Sequence, residues 1–231
     1  MMAGCSATVP SHRIGYILQE RYRKAAARVG RPYLWVTWMT KLISGEACCD
    51  WSLWFRARHS FDKLESGFDL KQWTAEHDAL LAWRAGRLRE TAVWPNLERS
   101  MTVEGATATI AGKSDIYYLA EGVACFEDCK TGKRRDSDHV QVLLYVWLHG
   151  IRQRVPSRGT VVYKDGLEEV DMSRLDQIQR DALRLVCIAA SSTPAERRPS
   201  ASECRSCNIA EFYCHERQHS PGSEIFQTDM F

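Results

Sequence analysis

The sequence of 231 residues lacks several features that would assign it to a class at once. No stretch approaches the roughly 20 apolar residues that cross a bilayer, and residues 1–10 contain no apolar segment of a secretory signal. The chain has no tandem repeats and no Gly-x-x-x-x-Gly-Lys-Ser/Thr motif. We therefore expect a cytoplasmic protein with no membrane contact, which is not itself an ATP-driven motor.

Positive and negative charges in the chain are also nearly balanced. It carries 31 basic and 29 acidic residues, a formal net charge of +2. Composition alone therefore does not predict a nucleic-acid partner, and a phosphate-binding surface must be local. The candidates are Lys130, Lys133, Arg134, Arg135 and the arginine-rich residues 84–89, which could equally form a solvated face.

A hydrophobic content of 45% is ordinary for a globular chain with a sizeable core. We expect one principal domain over residues 38–219, preceded by a tail and helix over residues 1–37 and followed by a tail over residues 220–231. Hydrophobic periodicity predicts further elements around the centre of the chain. These are helices over residues 13–28, 40–43, 51–59, 69–90 and 173–190, strands within residues 33–38 and 92–110, a hairpin over residues 159–170, and a loop over residues 191–201.

The most informative stretch is a predicted hairpin followed by a helix over residues 137–147. Residues 116–120 and 123–127 are rich in β-formers and are separated by Glu-Gly, a turn pair. Because side chains alternate along a strand, Asp128 and Lys130 point the same way, and Asp115 can face Asp128 across the ladder. Two carboxylates suit a hard cation such as Mg²⁺ or Mn²⁺, and a neighbouring ammonium can stabilise charge developing on a phosphate. This combination points to phosphodiester hydrolysis.

Three late cysteines have the spacing of metal ligands. They occur as Cys204-x2-Cys207-x6-Cys214, and a fourth thiol, Cys48 or Cys49, lies far upstream beside an aromatic-rich segment. In a reducing compartment such cysteines are metal ligands more often than disulfides. The spacing leaves two fillings open: an iron–sulfur cluster held by four thiolates, or a Cys₃His zinc site completed by His215 or His219.

Together these motifs resemble a known family. Asp115, then Asp128-x-Lys130, then Gln141-x-x-x-Tyr145 is similar to the PD-(D/E)XK nuclease core in its RecB-like form. With the split cysteines, the pattern resembles the iron–sulfur RecB-like exonucleases, which include CRISPR adaptation nucleases and the nuclease subunits of AddAB-type repair enzymes. The resemblance spans residues 38–214. It implies an α/β fold with a mixed central sheet flanked by helices and an iron–sulfur staple joining its two ends.

The resemblance also implies roles for individual residues. His77, Asp115 and Asp128 would hold Mg²⁺ or Mn²⁺, although a lone helix histidine is usually a core side chain and His77 lacks the glycine that normally precedes it by four residues. Lys130 would assist catalysis. Gln141-x-x-x-Tyr145 would border the catalytic groups, with core packing as the alternative for Tyr145.

The same likeness selects among the cysteines and points to a function. Cys49 is preferred to Cys48 because an aromatic residue follows it by two positions, so a [4Fe–4S] cluster would be held by Cys49, Cys204, Cys207 and Cys214. The implied function is a metal-dependent DNA exonuclease acting on single-stranded DNA or DNA ends, in CRISPR adaptation, DNA repair or phage defence, alongside a helicase or CRISPR adaptation proteins. The alternative is a non-catalytic DNA-binding or assembly module of a larger complex.

Overall fold

The computed structural model describes residues 25–64 and 69–218. Most of the helix predicted over residues 13–28, and the C-terminal tail, lie outside the described residues. The described end of that helix prediction is wrong, because Ala26–Ala27 forms a short strand, β1. It pairs antiparallel with β3, His59–Ser60, so backbone pairing with a distant segment overrides the helical preference of alanine.

The centre of the molecule is a six-stranded mixed sheet. The other strands, all in this sheet, are β2 Tyr33–Trp35, β4 Asn96–Glu104, β5 Thr109–Ala120, β6 Val123–Lys130, β7 Ser157–Tyr163 and β8 Gly166–Glu169. Strand β5 pairs with β4 along one edge and with β2 and then β6 along the other, and the sheet continues from β6 through β7 to β8. The β2–β5 and β6–β7 pairs are parallel, and the remaining pairs are antiparallel.

Helices cover both faces of the sheet. They are α1 Val36–Ile43, α2 Asp50–Arg58, α3 Leu70–Glu90, α4 Asp136–Arg152, α5 Leu175–Ala190 and α6 Ala201–Ser206, with a 3₁₀ turn at Met172–Arg174. Phe126 and Tyr117 pack in the main core with α4, whereas Cys125 and Tyr118 pack with leucines of α3 on the opposite face. The predicted mixed α/β fold, with its central sheet flanked by helices, is confirmed.

The predicted β5–β6 hairpin is present, with Ile116 opposite Glu127 and Ala120 opposite Val123. Glu121 and Gly122 both have positive φ, 52° and 79°, as a two-residue hairpin turn requires. None of the helices among the described residues has the length and apolar character needed to span a bilayer.

Several boundaries differ from the sequence-based expectations. The strand expected within residues 33–38 ends at Trp35, where α1 begins four residues earlier than predicted. Helix α4 continues five residues past the predicted end at Trp147, because its last turn still buries Leu148 and His149. The predicted loop over residues 191–201 ends at α6, whose first turn is capped by Ser200.

Candidate active site

The site lies where the central sheet opens beside β5. Strand β2 pairs with β5 as far as Ala111, and β6 joins the same edge only at Ile116. On the other edge, the β4–β5 ladder is interrupted at Asp115 and Glu98, which are not paired with each other. Glu98 has a φ of 52°. Asp115 therefore lies in a gap between two ladders, where its side chain is not enclosed by neighbouring strands.

Gly112 lets two helices approach this opening. A Cβ atom at Gly112 would lie 2.8 Å from Tyr145 Cε1 and 2.8 Å from Val36 Cγ2, closer than real Cβ atoms come. The absence of a side chain therefore allows Tyr145 of α4 and the start of α1 to pack directly on β5.

One carboxylate of the site, Asp115, is bonded from two directions. Its Oδ2 accepts a hydrogen bond from the Cys129 backbone N–H at 2.7 Å and lies 3.1 Å from His77 Nε2. The His77 ring stacks on Trp73, with centroids 5.2 Å apart. The hydrogen bond to Asp115 raises the pKa of His77, against the opposing effect of partial burial. Helix α3 thus positions the imidazole of His77 within hydrogen-bond distance of Asp115.

The second carboxylate, Asp128, is buried within a polar network. Gln141 Nε2 donates to Asp128 Oδ1 at 2.9 Å and to the Tyr145 hydroxyl at 2.8 Å, while Lys130 Nζ donates to Gln141 Oε1 at 3.1 Å. The ammonium of Lys130 also lies 2.5 Å from Asp128 Oδ2. That contact is a charge-assisted ion pair, so each carboxylate oxygen of Asp128 faces a donor within the fold.

The environment opposes ionisation of Asp128. Its pKa is raised to about 6: burial has the largest effect, the Lys130 ammonium lowers the pKa, and the Asp115 carboxylate raises it. Burial also disfavours the charged form of Lys130, but the adjacent Asp128 carboxylate keeps the pKa of Lys130 above its ordinary value. A buried acid with a strongly shifted pKa, facing a cavity beside a cation, is typical of functional sites.

These side chains share one cavity of about 370 Å³. The residues predicted as catalytic or metal-binding all line it, namely His77, Asp115, Asp128, Lys130, Gln141 and Tyr145. As the chain stands, no group of three or more His, Cys, Asp or Glu side chains within residues 25–64 and 69–218 is gathered tightly enough to hold a metal ion.

A second cavity of about 280 Å³ adjoins the first and is basic. It is lined by Lys41, Lys133 and Arg135, and it shares Lys130 and Gln141 with the first cavity. These cations lie beside the cavity that contains Asp115 and Asp128. Two of the four candidates from the sequence, Lys133 and Arg135, thus lie beside the site.

Two of the other basic candidates form ion pairs elsewhere. Arg134 pairs with Asp165 at 2.7 Å and with Glu168, away from both cavities. Arg87 pairs with Glu90 on the surface at 2.8 Å. Their charges are therefore compensated within the fold.

Sequence reasoning missed the role of Arg84. Its guanidinium donates two hydrogen bonds of 2.6 Å to Glu127, which also accepts the Tyr118 hydroxyl at 2.9 Å. The Glu127 side chain is only 1% exposed, and that of Arg84 is 15% exposed. One feature of the sequence could have indicated this pair. Glu127 directly precedes Asp128 on a buried strand, so its carboxylate points to the opposite face of the sheet. The pair fixes α3, and hence His77, against β6.

The four predicted cluster cysteines also come together. Cys49, Cys204, Cys207 and Cys214 line a separate cavity of about 160 Å³ between α1, α2 and the C-terminal segment. The first helix turn after Cys49 adds the buried rings of Trp51 and Phe55. The neighbouring Cys48 is exposed, and its thiol contacts Glu203 instead.

The thiol environment is apolar and rimmed by donors. Burial raises the pKa of Cys49 and of Cys214. The backbone N–H of Gln218 donates to Cys204 Sγ at 3.2 Å, and Arg56 donates to Cys207 Sγ at 3.5 Å. All eight cysteines in the described part of the chain are free thiols.

The histidines of the alternative zinc site are placed differently. His215 is exposed and does not line the cysteine cavity. His219 lies outside the described residues. The described geometry therefore offers four thiols around a space larger than a single ion fills.

Comparisons with known proteins give no close relative. No family model matches the chain, and no curated protein matches it either. Among solved structures, a "putative exonuclease" from Eubacterium rectale superposes with a TM-score of 0.49 and 13% identity, covering 89% of this chain and 95% of that one. The protein SSO0001 superposes with a TM-score of 0.41 and 13% identity, covering 79% and 86%. Both TM-scores lie below 0.5, so the functional conclusions rest on the geometry of this chain.

Proposed function

We propose that this chain is a metal-dependent deoxyribonuclease of the PD-(D/E)XK type in its RecB-like form, acting as an exonuclease on single strands or DNA ends. The observation that carries the proposal is the buried Asp128, paired with Lys130 in the same cavity as Asp115 and His77. Burying such an acid costs stability, and acids with strongly shifted pKa values that face a cavity cluster at functional sites. From the sequence resemblance, we propose that the activity serves CRISPR adaptation, DNA repair or phage defence, with a helicase or CRISPR adaptation proteins as partners.

The donor set fits Mg²⁺ or Mn²⁺. Such an ion needs only one or two carboxylates and keeps several waters, and Asp115 and Asp128 supply two carboxylates to one cavity. Asp115 and Asp128 would hold the ion, and His77, which lies 3.1 Å from Asp115 Oδ2, would be a third ligand. When bound, the ion polarises the phosphate and makes water a better nucleophile.

The surrounding residues have separate tasks. Lys130 presents its charge where negative charge develops on a phosphate oxygen in the transition state. Gln141 fixes Asp128 and Lys130 through its amide and is itself bonded to the Tyr145 hydroxyl, so both act as positioning residues. The basic cavity of Lys41, Lys133 and Arg135 would bind the phosphate next to the one being cleaved.

We also propose that Cys49, Cys204, Cys207 and Cys214 hold a [4Fe–4S] cluster. Four thiols that line one cavity match the ligand set of such a cluster, and N–H donors at Cys204 and Cys207 suit thiolate sulfur. The ligands come from the start of α2 and from the C-terminal segment. The cluster would therefore join the two ends of the domain.

Two adjacent cysteines allow a matched test of this cluster. Replacement of Cys49 by serine is expected to abolish the brown colour and bound iron of protein purified without oxygen, and to lower the melting temperature. Replacement of Cys48 by serine should leave both unchanged, because its thiol lies outside the cavity. Iron analysis and thermal unfolding of the two variants measure this, and equal iron loss in both would contradict the assignment.

Metal binding should depend on pH in a defined direction. Asp128 must be ionised to hold a cation, and its pKa is about 6. The affinity for Mn²⁺ is therefore expected to fall as the pH drops through 6, by up to about tenfold per unit, with protonation of His77 adding to the loss. Calorimetric titration of Mn²⁺ across this range measures it, with circular dichroism confirming that the protein stays folded. An affinity independent of pH would count against Asp128 as a ligand.

Digestion of labelled DNA tests the activity. Wild-type protein, prepared without oxygen, is incubated with 5′- or 3′-labelled single strands and duplexes in Mg²⁺, Mn²⁺ or EDTA. We expect cleavage with either metal, none in EDTA, and products with 5′-phosphate and 3′-hydroxyl ends, as the resemblance implies. Cleavage that persists in EDTA would contradict a metal-dependent mechanism, and the position of the label reports the direction of digestion.

A further inference from the structure

Two partly exposed tryptophans border the active-site cavity. Trp35, at the end of β2, is 40% exposed, and Trp73, in the first turn of α3, is 41% exposed. Both line the cavity that contains Asp115 and Asp128. By contrast, Trp51 and Trp54 of the same chain are buried in the cysteine-lined region. Leaving large indole surfaces in water forgoes hydrophobic stabilisation, so their position at the cavity calls for a physical reason.

The two rings differ from scattered surface aromatics in how they are held. Trp73 stacks on His77 at an interplanar angle of 26°, so its orientation is tied to the metal-binding side of the site. Trp35 contacts Tyr33 edge to face, with centroids 5.8 Å apart. Trp35 is also the residue that precedes α1, and it pairs with Ala111 next to Gly112. Both rings are therefore positioned by the same elements that form the site.

We infer that Trp35 and Trp73 form a stacking site for the unpaired bases of a single-stranded nucleic acid. This inference rests on the proposed function and names the substrate that the site accepts. Aromatic side chains bind any exposed base face, contributing about 1–3 kcal/mol per base. Bases within a duplex are already stacked and paired, so an intact duplex does not gain these contacts.

The side chains around the site match the two kinds of surface that a single nucleic-acid strand presents. The tryptophans border the same cavity as the carboxylates, while Lys41, Lys133 and Arg135 line the adjoining cavity. A single strand presents both apolar bases and anionic phosphates, and it can follow both cavities at once. A cavity of about 370 Å³ lies in the range of small-ligand sites. Its size therefore suits one nucleotide.

Binding without turnover isolates the stacking contribution. The affinities of full-length wild type, Trp35→Ala and Trp73→Ala for a single-stranded oligonucleotide and a blunt duplex are measured by fluorescence anisotropy in EDTA. Each alanine variant is expected to bind the single strand about 5- to 150-fold more weakly, with little change for the duplex. Phenylalanine at either position should restore most of the affinity. Trp94→Ala is the matched control, because Trp94 is 76% exposed and does not line the cavity.

An oligonucleotide with abasic positions sharpens the test. Wild type should bind the abasic strand more weakly than the intact strand. The alanine variants should bind both strands about equally, because they have already lost the ring on which the base stacks. The salt dependence should be the same in all cases, since phosphate contacts are retained. Unchanged single-strand affinity in folded Trp35→Ala and Trp73→Ala, or an equal loss for duplex, would overturn the inference.

The same proteins separate this inference from the proposed function. Base-dependent binding without cleavage in Mn²⁺ would keep the stacking site and remove the nuclease assignment. Cleavage in Mn²⁺ combined with unaltered binding by the alanine variants would keep the nuclease and remove the stacking site. Absence of binding to either form of DNA would overturn the stacking site.

Discussion

Replacement of Lys130 by methionine is expected to lower the rate of metal-dependent DNA cleavage by at least about a hundredfold. Methionine keeps much of the length of the side chain but removes the charge that lies 2.5 Å from Asp128. The transition state then loses a nearby cation at the moment when negative charge develops on the phosphate. Single-turnover cleavage of a labelled single strand at saturating Mn²⁺ measures the effect.

The matched control is Lys164→Met, which removes an exposed lysine paired with Glu76 outside both cavities. Its cleavage rate should stay within about twofold of wild type, because surface pairs contribute little. A Lys130→Met protein that folds normally and cleaves at a rate close to that of the control would remove Lys130 from the catalytic groups.

Replacement of Arg84 by alanine is expected to lower the free energy of unfolding by about 3–5 kcal/mol. The change leaves the Glu127 carboxylate buried at 1% exposure with only the Tyr118 hydroxyl as a partner. An uncompensated buried charge is far more costly than the loss of a surface pair. Urea unfolding, monitored by circular dichroism, gives the difference.

Arg87 of the same helix provides the comparison. It pairs with Glu90 at the surface, with both side chains more than half exposed, and Arg87→Ala should cost less than about 1 kcal/mol. Replacing Arg84 and Glu127 together by methionine and leucine should recover much of the lost stability, because no buried charge then remains. Equal destabilisation by Arg84→Ala and Arg87→Ala would contradict the structural role given to the Arg84–Glu127 pair.

The parts of the site that could be predicted from sequence are those set by local rules. The turn at Glu121 and Gly122 fixes the hairpin register, and strand alternation then puts Asp128 and Lys130 on one face. The four-residue spacing of Gln141 and Tyr145 likewise puts both on one face of α4, where they meet through a hydrogen bond. These relations depend on neighbouring residues only, so the sequence contains them.

The remaining features depend on contacts between distant segments. The gap beside Asp115 results from β2 and β6 sharing one edge of β5, and from the positive φ of Glu98 on the other. Likewise, the pairing of Arg84 with Glu127 joins residues 43 positions apart. Such arrangements depend on the packed fold and cannot be predicted from the local periodicity of the sequence.

The cysteines illustrate both situations. The spacing of Cys204, Cys207 and Cys214 was visible in the sequence as one group. The choice between Cys48 and Cys49 depends instead on which thiol turns inward. In the fold only Cys49 lines the cavity with the other three, because Cys48 is directed toward Glu203. The sequence offered a resemblance for this choice, and packing provides its physical reason.

The most direct test of the central claim compares wild type with an Asp115→Asn/Asp128→Asn double variant in one DNA digestion experiment. Both proteins are prepared without oxygen, checked for folding and iron content, and incubated with end-labelled single-stranded DNA in Mn²⁺ or EDTA. The proposed function predicts cleavage by wild type in Mn²⁺ only, and none by the folded variant under either condition. Cleavage by the double variant at the wild-type rate, or no cleavage by folded wild type in Mn²⁺, would contradict it.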